Sequence, residues 1–358
     1  MSGFRISETS SNFIHFLRVV ASQTVLIGHA IGMYYSIDNS VFGFLPSFSV
    51  MVFFVVSGFI ISYACSLKST TYGFKNYLID RFSRIYITFL PALLITYLLG
   101  IAYFYYFHSY PYLLSFRHFF ACIFLQHENP LLLQIQYMLP NDDKYKFIGI
   151  FGQNLPLWSL SIEWWHYIFF GLFYYNYFGP RKMRFKHKIL LLLSLPFIVG
   201  YMFFPGRAGY ALSFIWFSGV VLNHVISKNS LIIRTAFFPA LFLFFTIISF
   251  SIVSQLSIVF FIAFFYATII YLNNFNRENI YSKFFNIFSL QGSYSYSIYI
   301  IHYPILVLIN KLDFDSDFKF FLSYIISNFA AFLLYILFEK NHKAIASKIK
   351  TLSIFKMQ

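Results

Sequence analysis

Residues 13–34 read Phe13-Ile-His-Phe-Leu-Arg18-Val-Val-Ala-Ser22-Gln-Thr-Val25-Leu-Ile-Gly28-His29-Ala-Ile-Gly-Met-Tyr34. A helix needs about 20 mostly apolar residues to cross a bilayer's hydrocarbon core, and this run supplies them. It also holds Arg18 and His29. A charge at mid-bilayer costs a few kcal/mol on insertion scales, so ionisable residues inside a span are functional candidates by default. Eleven residues of helix turn through about 1100°, three turns plus roughly 20°, and rise about 16.5 Å. Arg18 and His29 are therefore expected on one face, with Ser22, Val25 and Gly28 flanking it and the small residues Ser22 and Gly28 leaving room for a ligand.

Nine more segments of the same kind follow, at 45–64, 85–107, 158–178, 189–204, 208–226, 232–250, 255–272, 293–310 and 319–338. The chain is 59% hydrophobic and 11% charged, where a soluble domain is about 25% charged. Its mean hydropathy of +0.68 leaves too little polar surface to cover a soluble globule. The expected fold is all-α: a polytopic membrane helical bundle of about ten transmembrane helices. It forms a single domain over 1–358, with spans across 13–338 and a short basic tail at 339–358. The apolar stretch 112–126 is expected to be re-entrant or interfacial. Arg5 precedes a first span with no small-residue cleavage pattern, so that span is expected to be retained.

The net charge of +14 sits in short clusters between apolar runs. That pattern orients a membrane protein and does not make a groove for phosphates, so no nucleic-acid partner is expected. Across the inter-span segments, Lys and Arg number 19 on the side of both termini and 6 on the other. The larger group includes Arg81, Arg84, the cluster Arg181 to Lys188, and the tail lysines from Lys340 to Lys356. The smaller comprises Arg117, Lys144, Lys146, Arg207, Lys311 and Lys319. Both termini are expected in the cytoplasm. Two cysteines, Cys65 and Cys122, exclude a disulfide framework, and no zinc-spaced His/Cys set or phosphate-cradling glycine loop occurs, so no metal is expected. His108, His118 and His127 read as surface residues. Ser57-Gly58 permits close helix approach and reads as packing.

Three further groups bear on chemistry. Glu163, in Leu157-Trp158-Ser159-Leu-Ser161-Ile-Glu163-Trp-Trp-His166, lies at the same expected depth as His29, about five residues below the outer surface. A carboxylate beside an imidazole fixes its tautomer and raises its basicity, as a general base requires; an ion pair tying two helices is the structural alternative. Ser295, Tyr299 and His302 follow helical spacing before Pro304, forming either a hydrogen-bonding face for a hydroxylated ligand or inter-helix glue. Arg81 and Arg84, beside Asp80 at the inner end of the third span, suit the phosphates of a soluble donor, and positive-inside placement also explains them.

Together these residues resemble a family. Arg18 and His29 with ten residues between them, Phe53-Phe-Val-Val-Ser57-Gly58-Phe59, Arg81-Phe-Ser-Arg84-Ile-Tyr, Leu157-Trp158-Ser159-Leu-Ser-Ile-Glu163 and Ser295-Tyr-Ser-Ile-Tyr299-Ile-Ile-His302 occur in the order found in the acyltransferase-3 family of integral membrane acyltransferases. The resemblance runs from residue 13 to about 340. The family tail reads Glu-Arg-Pro or similar, whereas this chain reads Phe338-Glu339-Lys340, and no role is given to Glu339.

The resemblance implies a membrane-bound O-acyltransferase. It would transfer acetyl from acetyl-CoA, a substrate and not a resident cofactor, to a hydroxyl of a cell-surface polysaccharide such as lipopolysaccharide or capsule, or of a lipid-linked sugar. The expected setting is a bacterial inner membrane, with membrane lipids as surroundings. In this reading His29 is the general base, Glu163 orients it, and Arg18 contacts the donor or developing negative charge. Arg81 and Arg84 hold the donor's nucleotide, and Trp158, Ser159, Tyr299 and His302 bind the acceptor. The chain stops about 20 residues after its last span, so a stand-alone enzyme without the extra hydrolase-like domain of some members is expected. A transporter using Arg18, His29 and Glu163 as a proton or substrate pathway is the alternative from another class.

Overall fold

The computed structural model describes residues 5–35, 40–68, 72–108, 114–138, 149–179, 185–203, 212–228, 234–252, 254–275 and 279–352. Lys144, Lys146, Arg181, Lys182, Arg184, Arg207, Arg277 and Lys356 of the charge count lie outside these residues, as do positions 204, 208–211 and 232–233 at the ends of three expected spans. Among the described residues there are helices and no strands.

In chain order the helices begin with α1 (Glu8–Tyr34), α2 (Ser40–Ser66), α3 (Phe74–Phe107), α4 (Phe116–Ile123) and α5 (Pro130–Met138). A 3₁₀ turn at Phe151–Gln153 precedes α6 (Leu157–Tyr177), α7 (Phe185–Phe203), α8 (Leu212–Lys228), α9 (Phe237–Ile252) and α10 (Ser254–Leu272). Then come α11 (Ile280–Asn286), α12 (Ser289–Ser293), α13 (Ser295–Asn310), α14 (Ser316–Leu337), a second 3₁₀ turn at Glu339–Asn341, and α15 (His342–Thr351). Every expected span contains one of these helices. Among the described residues, the stretches Glu8–Tyr34, Gly43–Ser66, Phe74–Phe107 and Ser316–Thr351 are long and apolar enough to cross a membrane, and α7 to α10 and α13 supply shorter apolar helices. The eight residues of α4 rise about 12 Å and cannot cross. Phe116 and Phe120 are exposed on α4 while His118, Ala121 and Cys122 are buried, the pattern of an interfacial helix.

The chain divides into two compact units, one of residues 1–68 and 214–295 and the other of 69–213 and 296–358. In the first, Ser7 caps α1 by accepting from the Ser10 amide at 3.2 Å, and its own hydroxyl donates to the Leu272 carbonyl at 3.0 Å. That bond ties the start of α1 to the end of α10. Phe13 and Phe16 pack edge-on against Phe285 and Phe288. In this unit α2 and α8 pack backbone against backbone. A Cβ at Gly58 would stand 2.0 Å from the Trp216 carbonyl oxygen, and one at Gly219 would stand 2.1 Å from that of Val55. Only glycine fits either place, which agrees with the packing role read for Ser57-Gly58.

In the second unit, α3 has 34 residues and is about 51 Å long, so its charged first turns extend beyond a crossing of about 30 Å. Tyr77 donates to the Tyr167 carbonyl at 2.9 Å, and its ring fills the space that Gly171 leaves open. Trp165 stacks on Phe197 at 4.0 Å, joining α6 to α7. Leu125 adopts φ 52°, a left-handed conformation unusual for a branched residue. Its carbonyl accepts from Ser161 Oγ at 2.6 Å and Trp165 Nε1 at 3.2 Å.

His118 and His127 differ from their expected surface placement: both are buried. His127 Nε2 lies 2.8 Å from the Leu157 carbonyl, and His118 Nδ1 lies 2.5 Å from Ser115 Oγ. The segment after α3 folds back onto α6, so polar residues of an apparent loop end inside.

Candidate functional site

Arg18 and His29 both lie on α1, which runs without interruption through Glu8–Tyr34. The expected helical geometry therefore applies, with one shared face and about 16.5 Å between them along the axis. The flanking space is occupied, contrary to expectation. A Cβ at Gly28 would come within 2.7 Å of Pro46 Cγ, so this glycine accommodates α2 and leaves no room for a ligand at that point. Ser22 is buried and donates to the Val19 carbonyl at 3.0 Å.

Arg81, Arg84, Trp158, Ser159, Glu163, Tyr299 and His302 belong to the second unit, while Ser295 ends the first. On α6, Glu163 accepts a short hydrogen bond from Tyr167, one turn along. Ser159 lies at the start of the same helix and meets the Tyr299 hydroxyl of α13 at 2.6 Å. Tyr299 is also 2.8 Å from the Pro156 carbonyl. A carbonyl only accepts, so Tyr299 donates to Pro156 and Ser159 donates to Tyr299. This relay fixes the first turn of α6, which carries Trp158. Asn154 adds a second tie by donating to the Ile300 carbonyl at 2.8 Å. His302 is fully buried, with Nδ1 at 2.9 Å from the Ile298 carbonyl. In the neutral ring that contact places the proton on Nδ1 and a lone pair on Nε2. His166 shows the same pattern, with Nδ1 2.7 Å from the Ile162 carbonyl and Nε2 2.9 Å from Ser213 Oγ.

Arg81 and Arg84 occupy one side of the early turns of α3. The Arg81 guanidinium lies 6.0 Å from the Tyr77 ring centroid. Arg84 lies 5.6 Å from the Tyr296 ring centroid, and its Nη1 is 2.7 Å from Oε1 of Glu339. Glu339 is fully buried, and its second oxygen accepts from Ser297 at 2.6 Å. Nearby, Asp80 accepts from both Tyr72 and Lys350, securing α15 against α3.

Glu339 is the residue that the sequence reading passed over. The signal was an acidic residue directly after an apolar span, in a tail otherwise rich in lysine. The structure joins Ser159 to Tyr299 and sets Arg84 against Glu339. His29 and Glu163 belong to different units, and their pairing remains with the proposal below. Among the described residues, no three His, Cys, Asp or Glu side chains converge as metal ligands would.

Long apolar helices carrying Arg18 and His29 within a span define an integral membrane protein with an ionisable site. The acyltransferase-3 family model, described as an acyltransferase domain, matches residues 11–340. The chain belongs to this family and is a membrane acyltransferase. No curated protein and no solved structure gives a significant match.

Proposed function

We propose that the protein transfers acetyl from acetyl-CoA to a hydroxyl of a cell-surface polysaccharide, such as lipopolysaccharide or capsule, or of a lipid-linked sugar. The observation that carries this reading is the placement of Arg18 and His29 on one face of the unbroken helix α1, within a chain of the acyltransferase-3 family. His29 removes the proton from the acceptor hydroxyl as its oxygen attacks the thioester carbonyl. The C–S bond breaks, the acetyl ester forms, and the proton leaves with the coenzyme A thiol. Glu163 orients His29, and Arg18 stabilises negative charge developing on the carbonyl oxygen or contacts the donor.

Arg81 and Arg84 hold the donor's phosphates, since guanidinium pairs with phosphate bidentately. Glu339 keeps Arg84 in position. The buried relay from Ser159 through Tyr299 gives those two residues a positioning role towards Trp158 and Glu163, beside the acceptor contact proposed for them. Trp158 and His302 remain acceptor contacts. The chain crosses a bacterial inner membrane about ten times with both termini in the cytoplasm, as the lysine and arginine bias favours. Transport through Arg18, His29 and Glu163 is not favoured by the family membership.

Membranes containing the full chain and supplied with radiolabelled acetyl-CoA test the reading. Alkali-labile label in the glycan or glycolipid fraction is the expected result. Labelled acceptor uptake in vesicles without any acyl donor would overturn it in favour of a transporter.

A further inference from the structure

Tyr77 and Arg81 stand four residues apart on α3, so they are neighbours on one helix face, and Arg84 follows three residues further along. The Arg81 guanidinium lies 6.0 Å from the Tyr77 ring centroid, within cation–π range. Its Nε–H is buried, and among the described residues nothing accepts from it. The adjacent carboxylate, Asp80, accepts from Tyr72 and Lys350. A guanidinium is planar but sits on a flexible stem, so the direction of its N–H edge depends on what holds it. The Tyr77 ring is itself held. It is buried, and its hydroxyl donates to the Tyr167 carbonyl of α6 at 2.9 Å.

Arg84 is held by two consecutive residues of α13. Tyr296 places its ring centroid 5.6 Å from the guanidinium, and its hydroxyl donates at 3.3 Å to the carbonyl of Ile85, the residue after Arg84. Ser297 donates to Glu339, which pairs with Nη1 of Arg84. That pair engages one end of the fork, and the Arg84 side chain is still 22% exposed. A guanidinium carries five N–H donors, so donors remain for a phosphate. Each tyrosine hydroxyl thus anchors its ring to a neighbouring helix, and each ring meets one arginine.

We propose, on the reading of Arg81 and Arg84 as donor-binding residues, that Tyr77 and Tyr296 are positioning residues for the phosphates of acyl-CoA. Each ring fixes the plane of one guanidinium and leaves its N–H edge to the phosphate oxygens. The rings act through the arginines and touch no reacting atom, so they govern donor affinity and not the transfer step.

Steady-state transfer by the full-length protein in membranes, with acetyl-CoA and with acetyl-pantetheine, tests the proposal, because the second donor has the same thioester and no phosphate. The unaltered protein should prefer acetyl-CoA in kcat/KM. Tyr77→Leu and Tyr296→Leu should each raise the KM for acetyl-CoA about fivefold, as loss of one cation–π contact would, with kcat unchanged. Neither should alter kcat/KM for acetyl-pantetheine. Tyr296→Phe should keep the donor KM of the unaltered protein, since the ring face remains. Trifluorophenylalanine in place of Tyr296 keeps the shape of the ring and weakens its negative face, so it should raise the KM towards that of Tyr296→Leu without disturbing the fold. Equal losses with both donors would make the tyrosines packing residues and overturn the proposal. So would a trifluorophenylalanine variant that matches Tyr296→Phe. An unaltered protein that used both donors equally well would instead withdraw Arg81 and Arg84 from phosphate binding, and the tyrosine roles with them.

Discussion

Nη1 of Arg84 and Oε1 of Glu339 meet at 2.7 Å, joining α3 to the turn that connects α14 with α15. Glu339 is fully buried and its other oxygen accepts from Ser297, so the carboxylate is matched on both sides. Removing one partner of a buried ion pair costs about 3–5 kcal/mol, because the other charge is left without compensation. Glu339→Ala should therefore lower the melting temperature clearly and raise the KM for acetyl-CoA by disordering Arg84. Ser297→Ala, which removes a single hydrogen bond to a charged group, should cost about 1.5–3 kcal/mol. Thermal unfolding of the two variants in one detergent checks the order, and an unchanged melting temperature for Glu339→Ala would contradict it.

The two arginines should separate. Arg81→Ala leaves the Glu339 pair intact, so it should raise the apparent KM for the donor with little change in thermal stability. Arg84→Ala should do both, because it strands a buried carboxylate. Initial rates against acetyl-CoA concentration, together with melting curves, provide the test. An unchanged donor KM in the Arg81→Ala/Arg84→Ala double variant would remove both from donor binding.

Gly58→Ala and Gly219→Ala should each prevent α2 and α8 from closing, since the new methyl carbon would fall about 2 Å from a carbonyl oxygen. Gly32→Ala and Gly43→Ala are matched controls, with nothing within 4 Å of the added carbon. Size-exclusion profiles after solubilisation should show loss of the folded peak for the first pair alone.

Much of the fold was legible because apolar runs in a membrane protein have few alternatives to helix. Each expected span contains a helix, and Gly58 packs as its small size implied. The misses have local causes. Gly28 looked like an opening, but the residue that fills it, Pro46, lies on the next helix and hydropathy carries no record of that contact. His118 and His127 read as surface because they lie in or near a long outer loop without ligand spacing, whereas the left-handed turn at Leu125 folds their segment onto α6. Glu339 stood in a basic tail where solvation is the ordinary reading, and only the tertiary fold brings Arg84 to it. The one-face relation of Arg18 and His29 depends on periodicity and not on packing, so the unbroken α1 suffices for it.

Tyr299→Phe should break both links of the relay, leaving the Pro156 carbonyl without its donor and Ser159 without its acceptor. A loss of about 1–3 kcal/mol is expected for an unsatisfied buried group. Ser159→Ala on the Tyr299→Phe background should cost less than on the unaltered protein, because the bond it removes is already gone. Additive melting-temperature changes would mean that the two residues act independently.

The central claim places the chemistry at His29. Transfer of radiolabelled acetyl from acetyl-CoA into membrane glycolipid, compared between the unaltered protein and His29→Ala at matched expression, tests it most directly. Loss of a general base lowers the rate by about 10²–10⁴-fold, so label should appear with the unaltered protein and fall to background with the variant. Equal incorporation by both would contradict the account and remove His29 from catalysis.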